Sequence, residues 1–217
     1  MEDSERRRWY LPFRRVVLAF SILLCAAAAP AQQTSTADSL QSRIELLRAT
    51  GDYAAALECA RKWCAALSTE STAKAWQRRT AAVTCSTLER VARWDAADRR
   101  RLAEADSLET VLRDLWSQGD YDAGAEAARR QLEIRRRLLG GAHPEVARSL
   151  GNLALFRFDQ GDHDAAEALY GEALTMRETL LGPHHPEVAS SLSDLGWLAF
   201  IRADYDEAER LHREALA

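Results

Sequence analysis

The chain has 217 residues, with 29 basic against 33 acidic side chains and a net charge of −4. That acidic balance argues against nucleic acid as a partner, because such binding rests on cationic side chains neutralising phosphates. Three of the four cysteines lie beyond residue 31, an odd number with no close CxxC pair, which reads as neither a disulfide framework nor a cysteine zinc site.

Arg6, Arg7, Arg8, Arg14 and Arg15 precede an apolar run from Val16 to Ala29. A basic front and a short apolar core make a secretory leader, and Ala29-Pro30-Ala31 places the cut before Gln32. The run is shorter than the roughly 20 residues a spanning helix needs. The expectation is therefore a leader over 1–31, a linker over 32–38, and export to the periplasm or medium without stable membrane insertion after cleavage. A twin-arginine variant (Arg14, Arg15) and a lipoprotein variant (Cys25) stay open, although Leu24 stands where a lipobox wants a small residue. Cleavage removes five arginines and three carboxylates, so 24 basic and 30 acidic groups remain, a net of −6. Cys59, Cys64 and Cys85 also remain; they are either small buried apolar residues or include a Cys64–Cys85 bridge.

Beyond the leader the chain is rich in Ala, Leu, Arg and Glu and poor in the β-branched clusters that mark strands. Its prolines after the leader, Pro144, Pro183 and Pro186, fall between helical stretches. An all-α fold is predicted. Gly119-Asp120-Tyr121, Gly161-Asp162-His163 and Ala203-Asp204-Tyr205 recur every 42 residues, as do Leu139-Gly140 and Leu181-Gly182, and His143-Pro144-Glu145 and His185-Pro186-Glu187. An earlier Gly51-Asp52-Tyr53 lies 68 residues before Gly119, and the gap is read as a degenerate unit with Ala92-Arg93-Trp94-Asp95 at its turn. Each unit reads as two helices joined at Gly-Asp. Proline opens the first helix, where a missing N–H costs nothing, and the following glutamate complements the helix dipole. Gly140 and Gly182 are expected to close the second helix in the left-handed conformation. The arginine runs at 99–101 and 135–137 are expected on solvated faces, with Glu126–Arg130 and Glu133–Arg137 pairs at helical spacing.

The small-and-large pattern Leu153, Ala154, Gly161, Ala166, Tyr170, Ala173 and Leu174, repeated at Leu195, Gly196, Tyr205, Ala208, Ala215 and Leu216, resembles the tetratricopeptide repeat (TPR) in the 42-residue form seen in kinesin light chains. The likeness is specific over 105–217 and weaker over 39–104. Arg157 and Ala199 stand where that family usually has tyrosine, and Gly124 where it has alanine, which leaves open whether Phe156 or Phe158 points inward. The resemblance implies a right-handed α-solenoid of about five stacked helix-turn-helix repeats. Stacking is needed because one helix pair cannot bury its own apolar stripe.

Candidate chemistry is thin. His143 and His185 share a face one repeat apart, and no third metal ligand is suggested by spacing. No phosphate loop, nucleophile elbow or HExxH occurs. No catalytic residue, metal or cofactor is therefore assigned. The resemblance implies instead a concave wall of first helices that binds a protein or peptide. Its candidate contacts are Arg113 and Trp116, then Arg148, Asn152, Leu155 and Phe158, then Asp194, Trp197 and Phe200. Asn152 matches the family's backbone-clamping asparagine, and Asp194 replaces it in the next unit. A second function class rests on architecture alone: exported repeat proteins of this kind resemble the sensing arm of caspase-like CHAT peptidases, with the catalytic domain elsewhere. The last unit stops at Ala217, so an uncapped end and self-association through it are expected.

Overall fold

The computed structural model describes residues 36–70 and 73–216. The expected leader lies outside the described residues, and the first helix begins inside the expected linker. Nine helices follow in chain order: α1 (Thr36–Ala49), α2 (Tyr53–Thr69), α3 (Ala75–Val91), α4 (Ala96–Gln118), α5 (Tyr121–Leu139), α6 (Pro144–Asp159), α7 (His163–Leu181), α8 (Pro186–Ile201) and α9 (Tyr205–Ala215). The described residues contain no strand, and the fold is an all-α solenoid.

Helix starts follow from the Gly-Asp turns. Asp52, Asp95, Asp120, Asp162 and Asp204 each accept a hydrogen bond from the backbone N–H three residues on, at 2.8–3.3 Å, which satisfies a helix-end donor that lacks an internal partner. Gly51, Gly119 and Gly161 precede three of them with φ of 77–84°; Ala203 holds the same turn at φ 62°, a conformation that costs a side chain about 1 kcal/mol. Gly140 and Gly182 differ from expectation. Their φ of 89° and 90° is paired with ψ of 166° and 158°, an extended positive-φ region open essentially to glycine.

Paired helices α1/α2, α4/α5, α6/α7 and α8/α9 stack so that α6 sits between α5 and α7, and α8 between α7 and α9. Close approach falls at small residues: Ala128, Ala154, Ala166 and Ala173 are fully buried. Both Phe156 and Phe158 are buried, in different places. Phe156 packs with α5 and Phe158 with α7 and α8. Gly124 makes room for the first: a Cβ there would stand 2.0 Å from the Phe156 ring. The departure from alanine at 124 is thus matched by a ring on the neighbouring helix.

The stretch read as a degenerate unit has a different construction. α3 and α4 are consecutive but do not pack along one another; α3 lies on α2 and crosses onto α7, while α4 is taken by α5 and α1. The 68-residue interval exceeds the 42-residue period by 26, the length of segment 70–95, which is α3 with its two connections. Without it the period runs from Gly51 to Gly119. α3 is an added helix laid across the units.

One arginine run also departs from expectation. Arg136 and Arg137 are exposed, but Arg135 is only 2% exposed. Glu126 pairs with Arg129 rather than Arg130, and Arg130 reaches Glu104 on α4.

Candidate functional site: the first-helix wall and its His-Pro-Glu edge

At the start of α6 the Nδ1 atom of His143 accepts the backbone N–H of Glu145 at 3.1 Å. Nδ1 is then unprotonated, so the proton sits on Nε2 and is donated to Thr87 Oγ1 at 2.9 Å. Thr87 donates its own hydroxyl hydrogen bond to the Val83 carbonyl at 2.8 Å. One repeat later the same chain of bonds recurs: Glu187 N–H to His185 Nδ1, His185 Nε2 to Thr80 Oγ1, and Thr80 to the Trp76 carbonyl. Thr80 and Thr87 are seven residues apart, two helical turns or about 10 Å along one face of α3, so one face of α3 reaches both corners. Each histidine therefore caps its own helix and pins α3. Arg90 adds a bond to the Leu139 carbonyl at 3.0 Å, on the last turn of α5. Burial pushes the His143 imidazole down to about 4, with Arg90, Arg48 and Arg135 adding to the effect against Glu145; burial lowers His185 as well. Both ring nitrogens of each histidine are used, and the described residues hold no group of three or more His, Cys, Asp or Glu suited to a metal.

The glutamates of the same motif face the preceding helix. Arg135 donates to Ser149 Oγ at 3.0 Å and to Asp106 at 3.0 Å, with Glu145 3.4 Å away. Arg177 repeats this 42 residues on, reaching Ser191 and Glu187. Arg48 of α1 ties the first unit in, at 2.9 Å from Glu145 and 3.2 Å from Asp106. Arg148 lies between Glu145 and Glu187, 3.6 Å from each. Burial alone would raise the Glu145 carboxyl, but Arg48, Arg148 and Arg135 outweigh it and hold it well below the usual range. The result is a ladder of ion pairs from α1 to α8 along the first helices. Sequence reasoning missed Arg48, Arg135, Arg177, Thr80 and Thr87. Two signals were available: Arg135 and Arg177 keep the 42-residue period with Ser149 and Ser191, and the two threonines are a heptad apart.

The predicted contact residues divide into two groups. Trp116, Phe158 and Phe200 are equivalent positions that pack near the turn. Trp116 is half-buried and donates its indole N–H to Asp159 at 2.8 Å; Phe158 is 6% exposed and stacks on His163. Phe200, in the last described unit, is 47% exposed, with its ring against Trp197 on one side and Tyr205 on the other. Arg113, Leu155 and Trp197 are equivalent positions on α4, α6 and α8 and keep exposed or partly exposed surface, as do Arg148, Asn152 and Asp194. The Asn152 side-chain N–H group is held by Gln131 at 3.0 Å and by Glu109 at 3.4 Å, so its carboxamide is fixed in orientation.

A family model described as Tetratricopeptide repeat matches residues 105–179 and 147–217. Together these span 105–217, or 113 of the 217 residues, and the chain belongs to the tetratricopeptide repeat family. The crystal structure of BtubC (BKLC) from P. vanneervenii aligns over 98% of this chain and 87% of that one, at 18% identity and a TM-score of 0.47. A comparison with curated proteins finds no match. Membership of the family makes the chain a protein-interaction scaffold.

Proposed function

We propose that the chain is a non-catalytic scaffold that holds an extended peptide segment of a protein partner along its first helices, and that it acts outside the cytoplasm. The observation that carries the first part is the strip of partly exposed side chains on consecutive helices. Arg113 and Arg148 offer charge, Asn152 a fixed carboxamide, and Leu155 and Trp197 apolar area. Arginine and tryptophan are the residue types that concentrate binding energy at interfaces. The ladder beneath keeps the strip rigid, which lowers the entropic cost of binding. The basic front and apolar run before Gln32 support export.

Peptides selected from a displayed random library against the folded chain supply a probe where the partner is unidentified. Arg113→Ala and Trp197→Ala should each weaken a selected peptide about tenfold or more, a loss of at least ~1.4 kcal/mol, while lowering the melting temperature little. Selected peptides that bind both variants as tightly as the parent would contradict the assignment. For export, mass spectrometry of material from outside the cytoplasm should find Gln32 as the first residue; an N-terminus at Met1 would contradict it.

A further inference from the structure

α3 packs against α2, and Cys64 of α2 and Cys85 of α3 both pack against one shared core cluster. The Arg61–Glu89 ion pair between the same two helices, at 3.2 Å, lies three residues before Cys64 and four after Cys85 and so sets the two cysteines on facing turns; both are half-buried, and both thiols are free. Cys59, the other described cysteine, sits five residues before Cys64 on the same helix, a spacing that places the two side chains on different faces. The connection between the two helices, 70–74, is short, and α3 is the one helix here not paired with a neighbour around a Gly-Asp turn. A covalent bond at this contact would therefore fix the helix that spans the units.

We infer that Cys64 and Cys85 are a dithiol that a low-molecular-weight disulfide converts to an intramolecular bridge, stapling α3 to α2 and so holding Thr80 and Thr87 on the two histidine corners. The chemistry balances by exchange. One cysteine, as its thiolate, attacks a sulfur of the external disulfide and releases one external thiolate. The second cysteine, after giving up its proton, displaces the remaining external group and forms the Cys64–Cys85 bond. Two protein thiols lose two electrons in all. The external disulfide gains them and leaves as two thiols carrying the two protons. Burial, with Cys85 beside it, raises the Cys64 thiol to about 11, so closure is slow near neutrality and quickens as pH rises, up to about tenfold per unit while the thiolate is the minor form.

The test uses the full chain with oxidised glutathione as the probe. After oxidation at pH 8.5 and alkylation of remaining thiols, trypsin should release peptide 63–74 joined to peptide 80–90, with Cys59 still alkylated. The bridged chain should melt higher by roughly 5 °C, with slower amide exchange in α3, and both changes should reverse with a reductant. Glutathione retained on Cys64 and Cys85 as mixed disulfides, or a bridge through Cys59, would overturn the pairing. A bridge that leaves the melting temperature and α3 exchange unchanged would overturn the staple. Cys59→Ser keeps the pair intact and should oxidise as the parent does; failure of that variant alone to form the bridge would also count against the pairing.

Discussion

At the scale of single residues, the histidine of each His-Pro-Glu corner does more than mark a helix start. Its neutral form, with Nδ1 open to accept, is required by the bond from the Glu145 N–H, and protonation at Nδ1 removes the cap. The sign of the pH effect follows. The folded value of His143 is depressed to about 4 from an unfolded value near 6.5, so its contribution is fully present above about pH 6.5 and is lost as pH falls from there toward 4. The loss is on the order of 3 kcal/mol by the bottom of that window. Glu145 acts in the same direction lower down, since its carboxyl is depressed by the arginines around it. His143→Asn keeps an N-cap oxygen and removes the titration; urea unfolding between pH 7 and 4.5 should give a flatter stability profile for this variant than for the parent. Gly124 makes a second residue-scale case. Gly124→Ala drives a methyl group into the Phe156 ring and should cost roughly 1–3 kcal/mol, and Phe156→Leu in the same chain should recover part of that loss in the same unfolding experiment.

At the scale of helices, the corner glutamate and the arginine of the preceding helix form a rung that repeats at 42 residues. Removing one partner of a buried pair leaves the other uncompensated, typically at 3–5 kcal/mol. Arg135→Met strips Asp106, Ser149 and Glu145 of a shared donor and should cost about 3 kcal/mol. Arg177→Met should cost less, because Glu187 is 30% exposed and keeps Arg148; equal losses in denaturation would show that the rungs do not differ by burial. The helices themselves were legible in the sequence. Proline at 144 and 186, aspartate at each turn and glycine at each end mark boundaries through local chemistry, and those boundaries fall within a residue or so of expectation. Arg135 was not legible as a buried group because its neighbours Arg136 and Arg137 are solvated, and a run of like charges carries no sign of which member turns inward. The strip was legible in part. The equivalence of Arg113, Leu155 and Trp197 is a matter of period, but the burial of Phe158 depends on the following unit covering it.

At the scale of the whole molecule, the array combines two kinds of order. The 42-residue period stacks helix pairs that, apart from the Arg48–Glu145 pair, touch chiefly their neighbours, and such arrays come apart locally, unit by unit. α3 adds a connection of longer range, reaching from α2 to the corners before α6 and α8. The period could not reveal it, since an added helix has no copy elsewhere in the chain to be compared with, and its threonines are ordinary helix-surface residues until the histidines are placed opposite them. The two histidine corners hold α3 across the units, and amide hydrogen exchange of the parent chain at pH 7 and pH 4.5, corrected for intrinsic rates, reads that hold. α3 should lose protection between these values while α5 and α7 keep most of theirs. Protection in α3 that is the same at both pH values, or that falls only together with the entire array, would contradict it.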